Sequence, residues 1–270
     1  MFILHVFSIF TLNYAILANL SKNFFNYRHH TNIQILYNIL HENGFTQEEI
    51  VALQQDDLAK DPRNIQKLSK DFKDHLFLTN NVLLEYHQIP TTFLNLKTLL
   101  NILQLNHPKL ITADENSNIL IYLCGHGNED FLKIVDRYFL MSNDIHSCIN
   151  RIHKRVKNIL LILDTCQAEG LINREELPKN VSVITTSVLD QSSYSSNTSN
   201  KLGIHTVDDF PLLMYENRQK IGTLKVDEFF NKQNFNLETS TVTVTKNEIF
   251  KMADFFTQEK RNNQINKFVI

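Results

Sequence analysis

Two continuous apolar runs dominate the hydrophobic pattern of this 270-residue chain. Residues 119–123 read ILIYL and residues 159–163 read ILLIL, without the alternating polar positions of a strand that faces water on one side. Continuous runs of this length are typical of strands buried on both faces of a parallel sheet. Between them, residues 142–156 predict a helix with a basic last turn, which suits the negative end of the helix dipole. This part of the chain therefore predicts a β-α-β unit.

Helical and strand-like patterns alternate along the rest of the chain. In residues 32–42 the apolar side chains recur at the spacing of one helix face, and an Asn-Gly pair then ends the helix. Residues 91–105 show the same spacing, with Thr91 or Thr92 as the N-terminal cap. Further strands are predicted at residues 14–17, 50–53, 82–86, 181–186 and 240–245, further helices at 207–217 and 226–231, and polar loops at 56–64 and 190–200. Such alternation predicts an α/β sandwich with a mostly parallel central sheet.

The amino-terminal segment differs from the rest, because the first 21 residues contain no Lys, Arg, Asp or Glu. We interpret residues 1–12 as a signal-like apolar segment and residues 13–270 as one folded domain. The alternative is a long first strand with an apolar lead. No later stretch of the sequence is apolar over the roughly 20 residues that a membrane span needs.

Composition excludes several classes of function. The chain has 27 basic and 29 acidic side chains and a net charge of -2, so it lacks the basic excess of a nucleic-acid-binding surface. It has three cysteines, Cys124, Cys148 and Cys166, which is an odd and small number for a disulfide framework. Because no CxxC pair is present, a structural zinc site is not expected either. At least one thiol is therefore predicted to be free.

Two motifs follow directly after the two buried strands. Cys-Gly-His-Gly ends the first run and places His126, while Asp-Thr-Cys ends the second and places Cys166. Parallel strands bring their carboxyl ends to one edge of a sheet, and ligands bind beyond that edge. The two residues are forty positions apart, which is one β-α-β crossover. We therefore expect the thiol and the imidazole to meet.

A thiol beside an imidazole indicates nucleophilic catalysis. The thiolate is the reactive form, and the imidazole can take the proton and later deliver it to a leaving amine. Cys166 also precedes a helix-like segment, QAEGLI, whose N-terminus would stabilise a thiolate. Gly127 lets backbone N–H groups approach a tetrahedral oxyanion, because it has no Cβ.

The other candidate residues carry simpler interpretations. Cys124 and Cys148 are predicted to be buried core residues. Asp164 either orients a group of the site or caps its strand. His29 and His30 are expected to form a surface pair.

Several blocks of the sequence, taken together, resemble one known family. The blocks are FFNYRHHTN (24–32), DDLAKDPRN (56–64), NILIYLCGHGNEDFLKIVD (118–136), LLILDTCQA (160–168) and LGIHTVDDF (202–210). They resemble the family of glycosylphosphatidylinositol (GPI) transamidase catalytic subunits, a branch of the legumain-type, caspase-like cysteine peptidase clan. The resemblance implies a caspase-like three-layer sandwich over most of the chain.

The resemblance also implies a role for each matching residue. Cys166 is the nucleophile, His126 is the general acid and base, and Asn26 orients the histidine. Gly127 supplies part of the oxyanion hole.

The reaction implied by the resemblance is acyl transfer in two steps. Cys166 cleaves the C-terminal GPI signal of a proprotein and forms a thioester, and the ethanolamine amine of a GPI lipid then replaces water as acceptor. Ser193 and Ser195 match positions that contact the substrate peptide. The implied partners are the other transamidase subunits, the proprotein C-terminus and the GPI lipid.

The sequence departs from the family pattern around the histidine and at a calcium site. Cys124 and Asn128 stand where the family usually has Thr and Gly. Calcium ligands of the family are poorly kept, with Leu83, Glu85 and Gln47 at the matching positions. We therefore expect no metal and no other cofactor.

A further departure concerns attachment to partners and to the membrane. Lys60 stands where the family has a cysteine that bridges to a partner subunit, so that disulfide is not expected. The sequence ends before the C-terminal membrane helix of many members. We expect a protein of the endoplasmic reticulum lumen that is held at the membrane through partner subunits.

Two alternative functions remain open on the residues alone. The first is a legumain-like asparaginyl endopeptidase that uses water as the acceptor. The second is a non-catalytic scaffold subunit that has kept the same fold.

Overall fold

The structure is a computed structural model that describes residues 12–63, 76–79, 82–85, 87, 89–195, 197–200, 202–231, 235–237, 239–245 and 250–258. The signal-like segment predicted at residues 1–12 lies, apart from Leu12, outside the described residues. In residues 76–79 and 82–85 only the backbone is described.

A six-stranded sheet forms the centre of the fold. The strands of the described residues are β1 Tyr14–Asn19, β2 Ile50–Leu53, β3 Leu76–Thr79, β4 Val82–Glu85, β5 Asn118–Cys124, β6 Gly127–Asn128, β7 Phe131–Ile134, β8 Tyr138–Met141, β9 Asn158–Asp164, β10 Val181–Thr185, β11 Asn197–Ser199, β12 Ile204–Val207 and β13 Thr243–Val244. The order of the central sheet is β13-β10-β9-β5-β1-β2, and all neighbours are parallel except β13, which is antiparallel to β10. The other strands form a three-stranded sheet, β6-β7-β8, and two hairpin-like pairs, β3-β4 and β11-β12.

Helices cover both faces of the sheet. The α-helices are α1 Tyr27–Glu42, α2 Leu96–Leu103, α3 Ser142–Ile152, α4 Asp209–Glu216, α5 Val226–Phe229 and α6 Met252–Phe256. Short 3₁₀ turns lie at Phe24–Asn26, Leu58–Lys60, Ala168–Leu171, Arg174–Glu176 and Arg218–Lys220. In the described part of the chain, none of these helices is both long and apolar enough to cross a bilayer.

Two hydrophobic cores lie on opposite sides of the sheet. Alternate residues of β5 divide between them, so that Leu120 and Tyr122 pack with α1, α4, α5 and α6, whereas Ile121 and Leu123 pack with α2 and α3. Because both faces of the strand are covered, both kinds of position must be apolar, which explains the continuous runs in β5 and β9. The predicted α/β sandwich with three layers is therefore confirmed.

Helix α1 begins five residues earlier than its apolar spacing predicts. Its first turns carry His29 and His30, which were expected to form a surface pair. That prediction is wrong, because both side chains are buried. Asp208 approaches His29, whereas the groups that act on His30 are Asp57 and the backbone of Asp56.

Other element boundaries also differ from the predictions. Helix α2 begins at Leu96 and is capped by Asn95, whose side chain accepts a hydrogen bond from Thr98 N. The predicted cap at Thr91 or Thr92 is wrong, because Thr92 N donates to Gln54 O and so continues the edge of β2.

An ion pair with added hydroxyl groups fixes the last strand to the loop that follows β9. The Glu169 carboxylate accepts hydrogen bonds from Arg174 Nε at 2.6 Å, from Arg174 Nη2 at 2.8 Å and from the hydroxyls of Thr185 and Thr243. Burial alone would raise the pKa of Glu169, but the hydrogen bonds from Arg174, Thr243 and Thr185 outweigh it and lower the pKa to about 2. This group of four side chains therefore favours the charged carboxylate in the folded state.

We expect Glu169→Gln to lower the free energy of unfolding by about 1–3 kcal/mol near neutral pH, because charged hydrogen bonds are lost in a half-buried place. A depressed carboxyl pKa adds stability above the unfolded value of 4.5, and this stability is lost as the pH falls toward about 2. The difference between the wild type and the variant should therefore shrink over that window. Urea denaturation at several pH values measures it.

Glu175→Gln is the matched control, because Glu175 is exposed in the next turn of the chain. It should leave the free energy of unfolding unchanged. A Glu169→Gln protein as stable as the wild type near neutral pH would show that the group contributes nothing.

Candidate active site

The pairing of β5 with β9 places the two motifs side by side. Cys124 is opposite Asp164 in the parallel register, so His126 and Cys166 each lie two residues beyond one paired position. The chain segments stay together after the strands end, because Gly125 N donates to Asp164 O at 3.4 Å. His126 and Cys166 therefore emerge at the same sheet edge, on neighbouring strands that are about 4.8 Å apart.

Asn26 fixes the tautomer of His126. His126 Nε2 lies 2.8 Å from Asn26 Oδ1, and Asn26 Nδ2 donates to Lys22 O at 2.7 Å. The amide orientation is set by the Lys22 carbonyl, which can only accept, so the oxygen of Asn26 faces the histidine. His126 must then carry its proton on Nε2, which leaves the Nδ1 lone pair free to act as a base.

The electrostatic surroundings favour the neutral form of His126. Burial lowers the pKa of this imidazole, and the charges of Arg28 and Lys133 act in the same direction, against a smaller opposing effect of Asp136. A neutral imidazole can accept a proton from a thiol, whereas an imidazolium cannot.

Gly127 presents a backbone N–H that the neighbouring strand does not use. In the β6-β7 ladder, Lys133 N donates to His126 O, and Gly127 is opposite Leu132. Because hydrogen-bonded and non-bonded pairs alternate in an antiparallel ladder, Gly127 falls at a non-bonded pair. Its N–H therefore points away from β7, at the edge where the two motifs meet.

Close contacts explain why this position is a glycine. A Cβ on residue 127 would lie 2.4 Å from Thr165 Oγ1 and 2.9 Å from Phe131 O. Thr165 directly precedes Cys166, so the backbone after the histidine packs against the nucleophile loop. The same absence of a Cβ leaves the N–H accessible.

Cys166 differs from the other two cysteines in its exposure. All three are free, but Cys124 and Cys148 are buried and Cys166 is partly exposed. Burial raises the pKa of the Cys124 and Cys148 thiols, which makes both inert. The prediction that they are core residues is confirmed.

The expected helix N-terminus beside Cys166 is not formed. The residue after it, Gln167, has a left-handed backbone with φ 52, and only a short 3₁₀ turn, Ala168–Leu171, follows. Four residues do not build a helix dipole of useful size. The prediction that a helix N-terminus stabilises the Cys166 thiolate is therefore wrong. The turn is held instead by Gln167 N, which donates to Gln191 O at 2.8 Å.

A buried layer of polar groups lies beneath the site. Asp164 accepts hydrogen bonds from Tyr122 Oη at 2.6 Å, Thr186 Oγ1 at 3.0 Å and Ser193 Oγ at 3.3 Å. Burial raises the pKa of Asp164, although these hydrogen bonds act in the opposite direction. Asp164 is thus more than a strand cap, because it connects the β9 end to the loop after β10.

A second buried carboxylate, Asp208, joins this layer from the other side. Arg28 Nε lies 3.2 Å from Asp208 Oδ1, and Asn32 Nδ2 donates to Asp208 Oδ2 at 2.6 Å. Burial and the charge of Asp164 raise the pKa of Asp208 to about 7, against the smaller effects of Arg28 and Asn32. No local pattern in the sequence points to this residue, because its partner Asn32 on α1 is 176 positions away.

The two serines predicted to contact substrate lie in the loop after β10. Ser193 donates to Asp164, and Ser195 donates to the carbonyl of Val207. Both hydroxyls therefore face the protein in this structure. Their role toward a substrate stays a prediction.

The family calcium positions are described only in part. Gln47 lies in the turn before β2, while Leu83 and Glu85 lie on β4, whose side chains are outside the described residues. Within the described ranges, no three His, Cys, Asp or Glu side chains are grouped so that they could hold a metal ion. Lys60, at the family's bridging position, pairs with Asp57 at 2.8 Å.

Comparison with solved structures gives the class of fold. Caspase-1 from Spodoptera frugiperda has a TM-score of 0.58 and 11% sequence identity, with 93% of this chain and 92% of that chain covered. At this identity the likeness shows the fold alone, which is caspase-like.

Comparison of sequences gives the family. The profile of the peptidase C13 family matches residues 13–266, and the chain belongs to this family. Proteins named GPI-anchor transamidase are similar over most of the chain. The one from Saccharomyces cerevisiae is 32% identical over 83% of this chain, the one from Schizosaccharomyces pombe 32% over 83%, and the one from Homo sapiens 28% over 78%. The matches cover 57%, 62% and 55% of those proteins' own lengths.

We expect Gly127→Ala to lower the free energy of unfolding by about 1–3 kcal/mol, because the added methyl must displace Thr165 or the Phe131 carbonyl. Urea denaturation of the purified chain measures this. Gly222→Ala is the matched control, because nothing lies within 4 Å of a Cβ built at Gly222. Equal stability of the two variants would contradict the close packing of the histidine and cysteine loops.

Proposed function

We propose that this chain is the catalytic part of a cysteine-dependent GPI transamidase. The observation that carries the proposal is the juxtaposition of three groups at one sheet edge. These are the partly exposed Cys166 thiol, the His126 imidazole with a free Nδ1, and the unused N–H of Gly127. The similarity to proteins named GPI-anchor transamidase supports the choice of reaction.

The first step is attack by Cys166 Sγ on the scissile carbonyl of a proprotein. His126 Nδ1 takes the thiol proton, and the Gly127 N–H stabilises the developing oxyanion. A second donor is the Cys166 N–H, which has no hydrogen-bond partner in the described part of the chain. His126 then gives its proton to the leaving amine, which departs with the C-terminal peptide and leaves a thioester on Cys166.

The second step transfers the acyl group to an amine. The ethanolamine amine of a GPI lipid loses a proton to His126 as it attacks the thioester carbonyl. The C–S bond then breaks, and His126 returns the proton to the Cys166 sulfur, which regenerates the thiol. A neutral His126 is needed at this point, and the lowered pKa of its imidazole supplies it. Thiol and imidazole carry both steps, so the proposed reaction needs no cofactor and no metal.

We propose that the substrate peptide lies along the loop after β10, with Ser193 and Ser195 near it. This loop contacts the nucleophile segment, because Gln191 O accepts from Gln167 N. Gln191 also lines a groove of about 220 Å³, together with polar residues such as Ser240 and Thr241 and with Phe230 and Phe235. We place the protein in the endoplasmic reticulum lumen, held at the membrane by partner subunits.

The surface around the site supports the proposal of partner subunits. The described residues include eight large apolar side chains that are exposed, and seven lie in segments that follow the carboxyl ends of the parallel strands. Exposed apolar residues that gather on one side mark interaction surfaces. In the β7-β8 hairpin, Phe131 and Phe139 pack edge to face with ring centroids 4.8 Å apart, and Met141 is opposite Phe131. The seven are Phe25, Phe93, Tyr138, Phe139, Met141, Leu189 and Tyr194.

We expect Phe139→Asp to weaken co-precipitation of the other transamidase subunits by about tenfold or more, since apolar anchors dominate interface energies. The measurement is co-precipitation with the tagged chain from cells. Ile111→Asp is the control, because Ile111 is also exposed but precedes β5, at the opposite sheet edge. Equal recovery of partners with both variants would argue against a partner surface at the catalytic edge.

We expect Cys166→Ala to abolish GPI attachment, by about 10³-fold or more, because removal of the nucleophile removes the whole covalent route. The measurement is complementation of cells that lack their own catalytic subunit. Cys148→Ala, on the buried face of α3, removes a thiol that the mechanism does not use and should retain attachment. Normal GPI attachment with Cys166→Ala would contradict the proposal.

Two further measurements separate the alternative functions. Rapid hydrolysis of asparaginyl peptides by the purified chain, without partners, would favour a legumain-like endopeptidase. A thiol-directed probe that fails to label Cys166 in preference to Cys124 and Cys148 would favour a non-catalytic scaffold.

A further inference from the structure

The buried imidazole of His29 packs against the imidazole of His126. The two ring centroids are 5.2 Å apart and the ring planes make an angle of 78°, which is an edge-to-face contact. His29 is 3% exposed, and it projects from the first turn of α1 toward the end of β5. One hydrogen bond, from Nε2 to Asn26, sets the position of one His126 atom but leaves the plane of the ring free to rotate. A second contact is needed to fix that plane.

His29 is itself held firmly. Its Nδ1 lies 2.8 Å from Ser21 Oγ, and its Nε2 lies 3.6 Å from Asp208 Oδ2. Its backbone carbonyl accepts from Cys124 Sγ at 3.6 Å. Ser21 follows β1 and Asp208 follows β12, so the ring is held from two sides, while Cys124 at the end of β5 holds the backbone of the same residue.

We propose that His29 is a positioning residue, which holds the His126 ring in the plane that directs Nδ1 toward Cys166. The inference rests on the proposed function, because it assigns His29 to the same acyl-transfer site. His29 is buried and acts through His126, without contact to the substrate. An edge-to-face contact between two rings is directional, so it favours one orientation of the His126 ring.

The charges around His29 suit this role. Burial lowers the pKa of His29 well below its ordinary value, and Arg28 and His126 act in the same direction. A neutral His29 does not repel the positive charge that His126 gains during each proton transfer. The other charged or titratable groups that face the pair are Asp208 beside His29, and Lys133 and Asp136 beside His126.

Three variants test the proposal in the full chain with its partners. His29→Gln removes the ring, His29→Phe keeps a ring but loses the bond to Ser21, and His30→Gln is the matched control. His30 is the next residue on α1 and is fully buried, but it does not belong to the site. GPI attachment in cells gives the turnover, and the pH dependence of Cys166 alkylation by iodoacetamide reports the thiol–imidazole pair in the purified chain.

We expect His29→Gln to reduce turnover by about 10- to 100-fold, because small misplacements of a catalytic group have effects of this size. The midpoint of the alkylation profile should fall, since water entering beside His126 relieves the burial that lowers its pKa, and a protonated imidazole favours the neighbouring thiolate. His29→Phe should stay within about threefold of the wild type, because an edge-to-face ring is retained. His30→Gln should leave the midpoint unchanged.

Several results would overturn the inference. These are an unchanged turnover and midpoint in His29→Gln, or a His29→Phe protein as impaired as His29→Gln. If His29→Gln does not fold, Ser21→Ala decides, because loss of the Ser21 hydroxyl should loosen the ring and shift the midpoint in the same direction. The alkylation profile needs no GPI substrate. The two proposals can therefore fail separately. If His29→Gln shifts the midpoint but GPI attachment survives Cys166→Ala, the proposed function is rejected and the positioning role of His29 is kept.

Discussion

The pairing of β5 with β9 is the constraint on which the site depends. Cys124 is opposite Asp164, and the two functional side chains are both two residues further on. A slip of one residue would turn every side chain of one strand to the opposite face. Both strands are buried on both faces, so a slip would also disturb two cores at once. The large apolar area that stabilises the fold therefore sets the relative position of the thiol and the imidazole.

Beyond the strand ends, contacts between loops, most of them polar, determine the positions of the functional side chains. Asn26 reaches His126 from the turn before α1, and Gly127 allows the histidine segment to touch Thr165. Gln191 holds the segment after Cys166. Each of these contacts joins two loops that follow different strands. The sheet therefore sets the positions of the strand ends, and short contacts between loops then set the positions of the functional groups.

The sequence was informative where local pattern and buried environment agree. The runs in β5 and β9 are apolar because both sheet faces are covered, so strand type, parallel pairing and the shared edge could all be predicted. The three-stranded sheet β6-β7-β8 was missed, because its strands are two to four residues long and follow directly on the histidine motif. His29 was misassigned for a different reason. Its surroundings are formed by Ser21 and Asp208, and no local pattern shows that a residue 179 positions away will approach it.

The buried carboxylates beneath the site act against stability near neutral pH. The pKa of Asp208 rises from 3.8 to about 7 in the folded state. A raised carboxyl pKa means that the folded state binds the proton more tightly than the unfolded state. Any stability from this proton is present below pH 3.8 and is lost as the pH rises through about 7. An apolar side chain would avoid this loss.

Perturbed carboxyl groups of this kind cluster at functional sites. Here Asp208 lies between Arg28 and His29, and His29 contacts His126. The carboxylate therefore belongs to the support of the histidine as much as to the core. The same physical argument explains why Arg28 is largely buried beside it: a buried carboxylate without a nearby cation would be neutral throughout the pH range in which the site works. The position of these charges is better explained by the chemistry above them than by the stability of the fold.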